Sequence, residues 1–294
     1  MRVLLYGQRI EVEDIEIISR LLHDFSAKAV KVYIDVKLYS QLLEKNILVA
    51  QYEVIHDHKE LVKEKIDFVI TLGGDGTILH AATLVKNAEI PILGINLGRL
   101  GFLASTEKHK VGEAIDALVN GHYIIDGRTM IEVTSNLSIF GENNFALNDF
   151  TVHKRDNSAM ITVHCYINGE YLNAIWADGL IISTPTGSTG YSLSCGGPIV
   201  FPGSGNFIIT PIAPHNLTMR PIVFSDEKEI TLTLEGRTDS FLCTLDSRHE
   251  IISAEHRITV KKCRSKFCLV QLEGNSFIHT VSEKLLWGLD KRNK

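Results

Sequence analysis

Most of the residues that could do chemistry fall in three short stretches. The first is "GGDGT", residues 73 to 77, with Asp75 among Gly73, Gly74 and Gly76, followed by Thr77. It lies between the apolar run "DFVITL" and the helical "TILHAATLVKN". A strand, a tight glycine turn and a helix N-terminus present backbone N–H groups that can hold an anion. Thr77 is placed to open the helix. Yet the loop has a carboxylate and no lysine. It fits neither the dinucleotide pattern G-x-G-x-x-G nor the P-loop ending Gly-Lys-Ser/Thr. Asp75 either supplies turn geometry, as Asp beside Gly often does, or acts on something the loop holds. His80, one turn further on, faces that ligand or solvent.

The second stretch is "WADGLIISTPTGSTGYSLSCGGPIVFP", residues 176 to 202. It gathers Thr184, Thr186, Ser188, Thr189, Ser192 and Ser194 with Gly187, Gly190, Gly196 and Gly197. Short hydroxyls and open amides can hold ribose, phosphate and base edges without a fixed charge. A polar surface loop would have a similar composition, but a strong strand leads into this one, and Tyr191 and Leu193 are interleaved in it. A nucleophilic serine is disfavoured, since neither a G-x-S-x-G elbow nor S-x-x-K occurs here. The third is the pair Asn148–Asp149 in "FALNDFTV", with Asp178 following in "WADG". An amide beside a carboxylate can read an adenine edge and hold ribose hydroxyls, though the pair is also ordinary turn chemistry. The twelve histidines show no H-E-x-x-H or other metal spacing.

These stretches need elements to position them. "RVLLYG", "AVKVYIDV", "DFVITL" and "IPILGINLG" read as strands, the last two apolar throughout, as strands buried on both faces require. "EDIEIISRLLHDF" puts Ile15, Ile18, Leu22 and Phe25 on one helical stripe. "VGEAIDALVNG" is an amphipathic helix stopped by Gly121. Alternating strands and helices imply an α/β domain with a parallel sheet over residues 1–125. Beyond it the rhythm changes to strand-like runs such as "MITVHCYING", "EITLTLEG" and "KFCLVQLEG", the signature of an all-β, sandwich-like domain over 126–275. Residues 276–294 are expected to form a helix that packs back on the first domain. The seam near Gly121 to Arg128 is a natural place for a ligand cleft.

At 294 residues, roughly two domains are expected. A hydrophobic fraction of 45% supports real cores, and a formal net charge of -5 argues against a nucleic-acid partner. No apolar run is long enough to span a membrane. "MRVLLYGQRIEVED" turns polar too soon for a signal peptide. Five scattered cysteines without C-x-x-C suit reduced thiols in a cytoplasmic protein.

Together the three stretches resemble the NAD kinase family. "LGINLGRLGFLA", residues 93 to 104, and "PHNLTMRPIV" extend the likeness over about residues 68 to 221. The GGDGT element is shared with lipid kinases of the diacylglycerol type; the hydroxyl-rich stretch is more specific. The resemblance implies a Rossmann-like α/β domain followed by a β-sandwich domain. It also implies phosphorylation of the 2′-hydroxyl of the adenosine ribose of NAD by ATP with a divalent metal, Mg²⁺ or Mn²⁺. By the same resemblance Asp75 is the base and Gly76 lies against the dinucleotide, with Gly73, Gly74 and Thr77 beside it. His80 faces the ligand, Asn148 reads adenine and Asp149 holds ribose hydroxyls. Asp178, Thr186, Thr189, Gly190, Tyr191, Ser192, Leu193 and Ser194 line the NAD pocket, partly from a neighbouring subunit of a homo-oligomer, a dimer or tetramer. Asn206 and Arg248 align with further pocket positions. The pair is Asn-Asp where Asn-Glu is usual, and Arg248 stands where glutamine is frequent. A lipid or sugar kinase of the GGDGT group and a non-catalytic NAD(P) sensor are the competing readings. Against them stand the absence of an apolar groove and the presence of Asp75.

Overall fold

The structure, a computed structural model, describes residues 1–47, 49–98, 101–155, 159–216, 218–274 and 276–287. It divides into two units, Met1–Gly127 with Phe267–Lys294, and Arg128–Lys266.

The first unit alternates strands and helices: β1 (Arg2–Gly7), α1 (Ile15–Ala27), β2 (Lys31–Asp35), α2 (Val36–Glu44), β3 (Glu53–Ile55), α3 (His58–Lys63), β4 (Phe68–Leu72), α4 (Asp75–Val85), β5 (Ile92–Asn96), β6 (Thr106–Glu107), α5 (Val111–Asn120) and β7 (Tyr123–Arg128). Ile18, Leu21, Leu22 and Phe25 of α1 are buried, one amphipathic face. Asp35 starts α2 by accepting from the backbone N–H groups of Lys37 and Leu38. Gly121 ends α5 at φ 74°, a left-handed cap that glycine takes without a steric cost.

The second unit contains β8 (Ile131–Ser135), β9 (Phe145–Ala146), β10 (Asp149–Lys154), β11 (Ile161–Ile167), β12 (Glu170–Ala177), β13 (Gly179–Ser183), the one-turn α6 (Tyr191–Ser194), β14 (Asn206–Ile212), β15 (Ile222–Ser225), β16 (Ile230–Glu235), β17 (Phe241–Leu245), β18 (Arg248–Ile252) and β19 (Ile258–Lys262). Its sheets run β15-β14-β13-β10-β17-β18 and β12-β11-β16-β19-β8-β9. Alternate residues such as Val163 and Cys165 from one sheet and Phe150, Leu180 and Phe207 from the other form a single core, the packing of a sandwich.

The chain then returns to the first unit with β20 (Phe267–Leu272) and α7 (Phe277–Lys284). The first sheet is ordered β3-β2-β1-β4-β5-β20-β7, with β6 on β5. Strands β3, β2, β1, β4, β5 and β20 are parallel in succession. The strand order reverses between β1 and β4, and ligands of open α/β sheets bind beyond the carboxyl ends of strands at such a point. The glycine loop follows β4 there.

Two expectations are corrected. Residues 267–272 belong to the parallel sheet, not to the β unit, because Leu269 pairs with Ile92. Their half-alternating pattern fits either sheet. The C-terminal helix begins at Phe277, capped by the Ser276 hydroxyl; the stretch 288–294 lies outside the described residues.

Candidate functional site

The glycine loop is built from the end of β4. Gly73 has φ 146°, and a Cβ there would lie 2.3 Å from the Thr77 hydroxyl, so the fold itself demands glycine. Gly74 and Gly76 differ. A Cβ at either meets no described atom within 4 Å. Their glycines leave the backbone open to close approach from outside. Helix α4 starts at Asp75, two residues before the expected Thr77, with Gly74 as its cap.

Asp75 is more than a turn residue. Its Oδ2 accepts from the Phe102 N–H at 2.8 Å, and its Oδ1 from Leu103 and Ala104 at 3.0 and 2.9 Å. A carboxylate offers about four lone-pair positions, so one on Oδ2 stays open. Gly101 lies directly behind it: a Cβ there would stand 1.8 Å from Oδ1. The Lys284 ammonium, on α7, sits 5.2 Å above the Phe102 ring. Sequence reading found neither Gly101 nor Lys284. His80 is exposed on α4, its carbonyl accepting from the Thr83 hydroxyl.

In the second unit, Asn148 and Asp149 stand where β10 begins. Asp149 is 7% exposed. Among the described residues no hydrogen-bond donor reaches its carboxylate. Burial, and secondarily the negative charge of Asp246, push its pKa up to about 7. Asp246, in the turn between β17 and β18, accepts from the backbone N–H groups of Leu147, Asn148 and Asp149 at 2.9, 2.8 and 3.2 Å. Adjacent carboxylates with such different surroundings titrate apart. Sequence reading missed Asp246; its only signal was a turn residue between two alternating strands.

The hydroxyl-rich stretch has an inside and an outside. The Thr184 hydroxyl donates to the Leu147 carbonyl at 2.6 Å, and Gly187 backs onto Asn148, where a Cβ would stand 2.1 Å from the Asn148 carbonyl oxygen. Ser188 bonds the Pro185 carbonyl and the Val200 N–H. The Thr186 hydroxyl accepts from Arg128 at 3.3 Å. Ser192, expected in the pocket lining, is instead fully buried and bonded to the Thr210 hydroxyl at 2.8 Å. Thr189 and Gly190 are half-buried, Leu193 likewise, while Tyr191 and Ser194 are exposed. Tyr191 stacks on His153 at 5.7 Å between centroids. Gly190 is held close to the pair, its Cβ position 3.8 Å from Asn148 Nδ2 and 4.0 Å from Asp149 Oδ2.

Three expected site residues are occupied by the protein itself. Asp178 pairs with Lys154 at 2.7 Å. Asn206 donates to the Ser204 carbonyl at 3.0 Å. Arg248 donates to the carbonyls of Asn143 and Phe145, with its guanidinium 5.4 Å from the Phe145 ring. Its charge therefore fastens the segment leading to Asn148. Arg248→Ala should cost about 1.5–3 kcal/mol of stability, the range for a hydrogen bond to a charged group, as read from urea unfolding. An unchanged midpoint would show that these bonds contribute nothing.

Among the described residues no group of three or more His, Cys, Asp or Glu is placed to hold a metal ion, and no helix is long and apolar enough to cross a membrane.

Comparison with known proteins is consistent across the chain. Residues 3–123 match the ATP-NAD kinase N-terminal domain and 147–272 the ATP-NAD kinase C-terminal domain. An NAD kinase of Cytophaga hutchinsonii is 45% identical over 289 residues, covering 98% of this chain and 99% of that protein. One of Flavobacterium johnsoniae is 44% identical over the whole of both chains. An NAD kinase from Archaeoglobus fulgidus in complex with ATP superposes with TM-score 0.72 at 25% identity, covering 97% of this chain and 99% of that one. Yeast NADH kinase complexed with NADH has the same fold, with TM-score 0.89 over 100% of this chain and 89% of that one, at 24% identity.

Proposed function

The chain belongs to the ATP-NAD kinase family and is an NAD kinase, and from that premise we propose how its residues divide the work. The terminal phosphate of ATP passes to the 2′-hydroxyl of the adenosine ribose of NAD. The hydroxyl oxygen bonds to phosphorus, the bond from that phosphorus to ADP breaks, and the hydroxyl proton goes to Asp75. Such transfers ask mainly for positioning and charge neutralisation.

In the first unit, Gly74 and Gly76 admit phosphate groups to the amides at the start of α4. Gly73 and Thr77 hold that turn, and His80 faces the nucleotide from α4. In the second unit, Asn148 reads adenine and Asp149 accepts from ribose hydroxyls. Thr189, Gly190, Tyr191, Leu193 and Ser194 line the dinucleotide. Asp178 contributes as a Lys154–Asp178 pair. Thr186, Ser192, Asn206 and Arg248 support the site from within.

One observation carries this reading: a buried carboxylate beside an amide, with no donor from the described protein. Hydroxyl groups of a ligand satisfy it. An assay of NADP formation across ATP, other triphosphates and polyphosphate, with NAD and NADH as acceptors, tests the reading. ATP with NAD should give NADP. NADP binding without formation under any pairing would favour a sensor.

The described residues do not fit a protein-held metal. We assign Mg²⁺ or Mn²⁺ to the donor nucleotide complex, where it would neutralise phosphate charge. The glycine loop has no cation of its own, so chelator in excess should stop the assay and added Mg²⁺ or Mn²⁺ restore it; activity that persists under chelation contradicts this. A homo-oligomer, dimer or tetramer, is part of the same proposal. The edge strand β12 exposes Tyr171, Leu172 and Trp176, which suits a covered surface. Light scattering that finds an active monomer would overturn it. Five scattered cysteines with no C-x-x-C among them suit a reducing cytoplasm.

A further inference from the structure

Asp246 is used by none of the roles above, yet its carboxylate accepts from the backbone N–H groups of both Asn148 and Asp149. It occupies the hairpin turn at φ 52°. Its own N–H donates to the Asp149 carbonyl at 3.0 Å. Its carboxylate turns inward and takes the N–H groups of three successive residues, Leu147, Asn148 and Asp149. Three consecutive peptide planes fixed by one anion leave the Asn148 and Asp149 side chains little freedom of direction.

A hairpin turn with positive φ is served as well by Asn or Gly. Placing a carboxylate there instead, beside another buried carboxylate, costs desolvation and repulsion. That expense is unexplained by the turn alone.

We infer that Asp246 is a positioning residue for dinucleotide binding, clamping the backbone of residues 147–149 so that Asn148 and Asp149 point at the adenosine half of NAD. The inference rests on the reading that this pair holds the dinucleotide. Its charge has a second effect. Burial first, and Asp246 next, raise the Asp149 pKa. Burial raises the Asp246 pKa, and the N–H groups of Leu147, Asn148 and Asp149, then the Arg248 charge, offset part of that rise. The pKa values of Tyr191 and Cys195 are pushed up first by burial, with the charge of Asp149 adding to it. A clamp beside Asp149 therefore adds to the effect of burial on the pH at which Asp149 is an acceptor.

The test is Asp246→Asn, which keeps the size and suits the turn. The KM for NAD should rise about tenfold, in line with one charged hydrogen bond. The KM for ATP should stay put and kcat should change by no more than a few-fold. The acid limb of kcat/KM for NAD should move to lower pH, because the neighbouring negative charge is gone. A merely structural role would not move that limb. In the double variant with Asp149→Asn, the loss should not exceed that of Asp149→Asn alone. Additive losses, or an unchanged NAD KM and limb while Asp149→Asn is damaging, overturn the inference alone. If both single variants are silent, the reading of the pair fails and the inference with it. Should Asp246→Asn not fold, hydrogen exchange on the wild-type protein decides. The amides of residues 147–149 should be protected without nucleotide, and exchange at the rate of exposed turns would overturn the clamp.

Discussion

Asp75→Asn should lower kcat for NADP formation by about 10²- to 10⁴-fold, the usual contribution of a positioned proton acceptor, with NAD affinity close to wild type. The substitution preserves size and the start of α4. The amide oxygen can keep the bonds from Leu103 and Ala104, which both reach Oδ1. The NH₂ group then takes the place of Oδ2, where it cannot accept from Phe102 or from an incoming hydroxyl. So one change removes the open acceptor position and one backbone bond together. The lost bond has its own readout, a stability decrease of about 1–3 kcal/mol, which a thermal melt separates from turnover. A carboxylate is a weak base. Much of its service is then orientation of the hydroxyl for in-line attack. The three amide bonds suit that task, since they fix the carboxylate in place before any substrate arrives. The lack of a lysine in the loop also follows: a cation here would pair with Asp75 and occupy the remaining lone pair. A variant that keeps its kcat but melts earlier would reduce Asp75 to a staple on residues 102–104.

The same geometry shows what a single sequence can and cannot disclose. β4 and β5 were legible because a strand covered on both faces must be apolar throughout, and all their residues are buried. β11 was legible through the alternation of its first five residues, Ile161 to Cys165. α2 was not read, because it follows β2 without a break and only the Asp35 cap separates them. β20 was placed in the wrong unit because its pairing partner lies far back in the chain, and local pattern contains nothing about a partner. The chemistry behaved likewise. Residue types singled out Asp75, Asn148 and Asp149 as candidates, but not the residues that hold them. Both clamps, Asp75 on residues 102–104 and Asp246 on 147–149, join segments distant in sequence through backbone N–H groups, and any residue type has an N–H. Equally, composition could not tell that Ser192 turns inward to Thr210 while Ser194 faces out. Arg248 is the opposite case: the resemblance aligns it with a pocket position, and here carbonyl oxygens hold its guanidinium.

Asp149→Asn should weaken NAD binding by about ten- to a hundredfold, the equivalent of losing a charge-assisted hydrogen bond of roughly 1.5–3 kcal/mol, with kcat changed much less. The wild-type protein should also show this residue in its pH profile. With its pKa pushed up to about 7, Asp149 is only partly ionised at neutral pH. The ionised form accepts from two hydroxyls; the neutral acid has one oxygen committed to its own proton. kcat/KM for NAD should therefore fall as pH drops below about 7, by up to tenfold per unit, and Asp149→Asn should lack that limb. The stability effect has the opposite sense. A carboxyl whose folded pKa is raised contributes stability that is complete below its unfolded pKa, near 3.9, and lost as pH rises through about 7. Above pH 7 the buried charge is a burden, so the Asn variant should be the more stable protein there, by on the order of a few kcal/mol. Near pH 4 the two should converge. The combination is diagnostic: a substitution that stabilises the fold at pH 8 while harming NAD binding marks a residue held in a costly state for the ligand's sake. Calorimetry for NAD and thermal melts at pH 5 and pH 8 on the same two proteins measure both arms. A variant that binds NAD normally, or whose melting difference runs the other way, would return Asn148–Asp149 to the role of a strand entry.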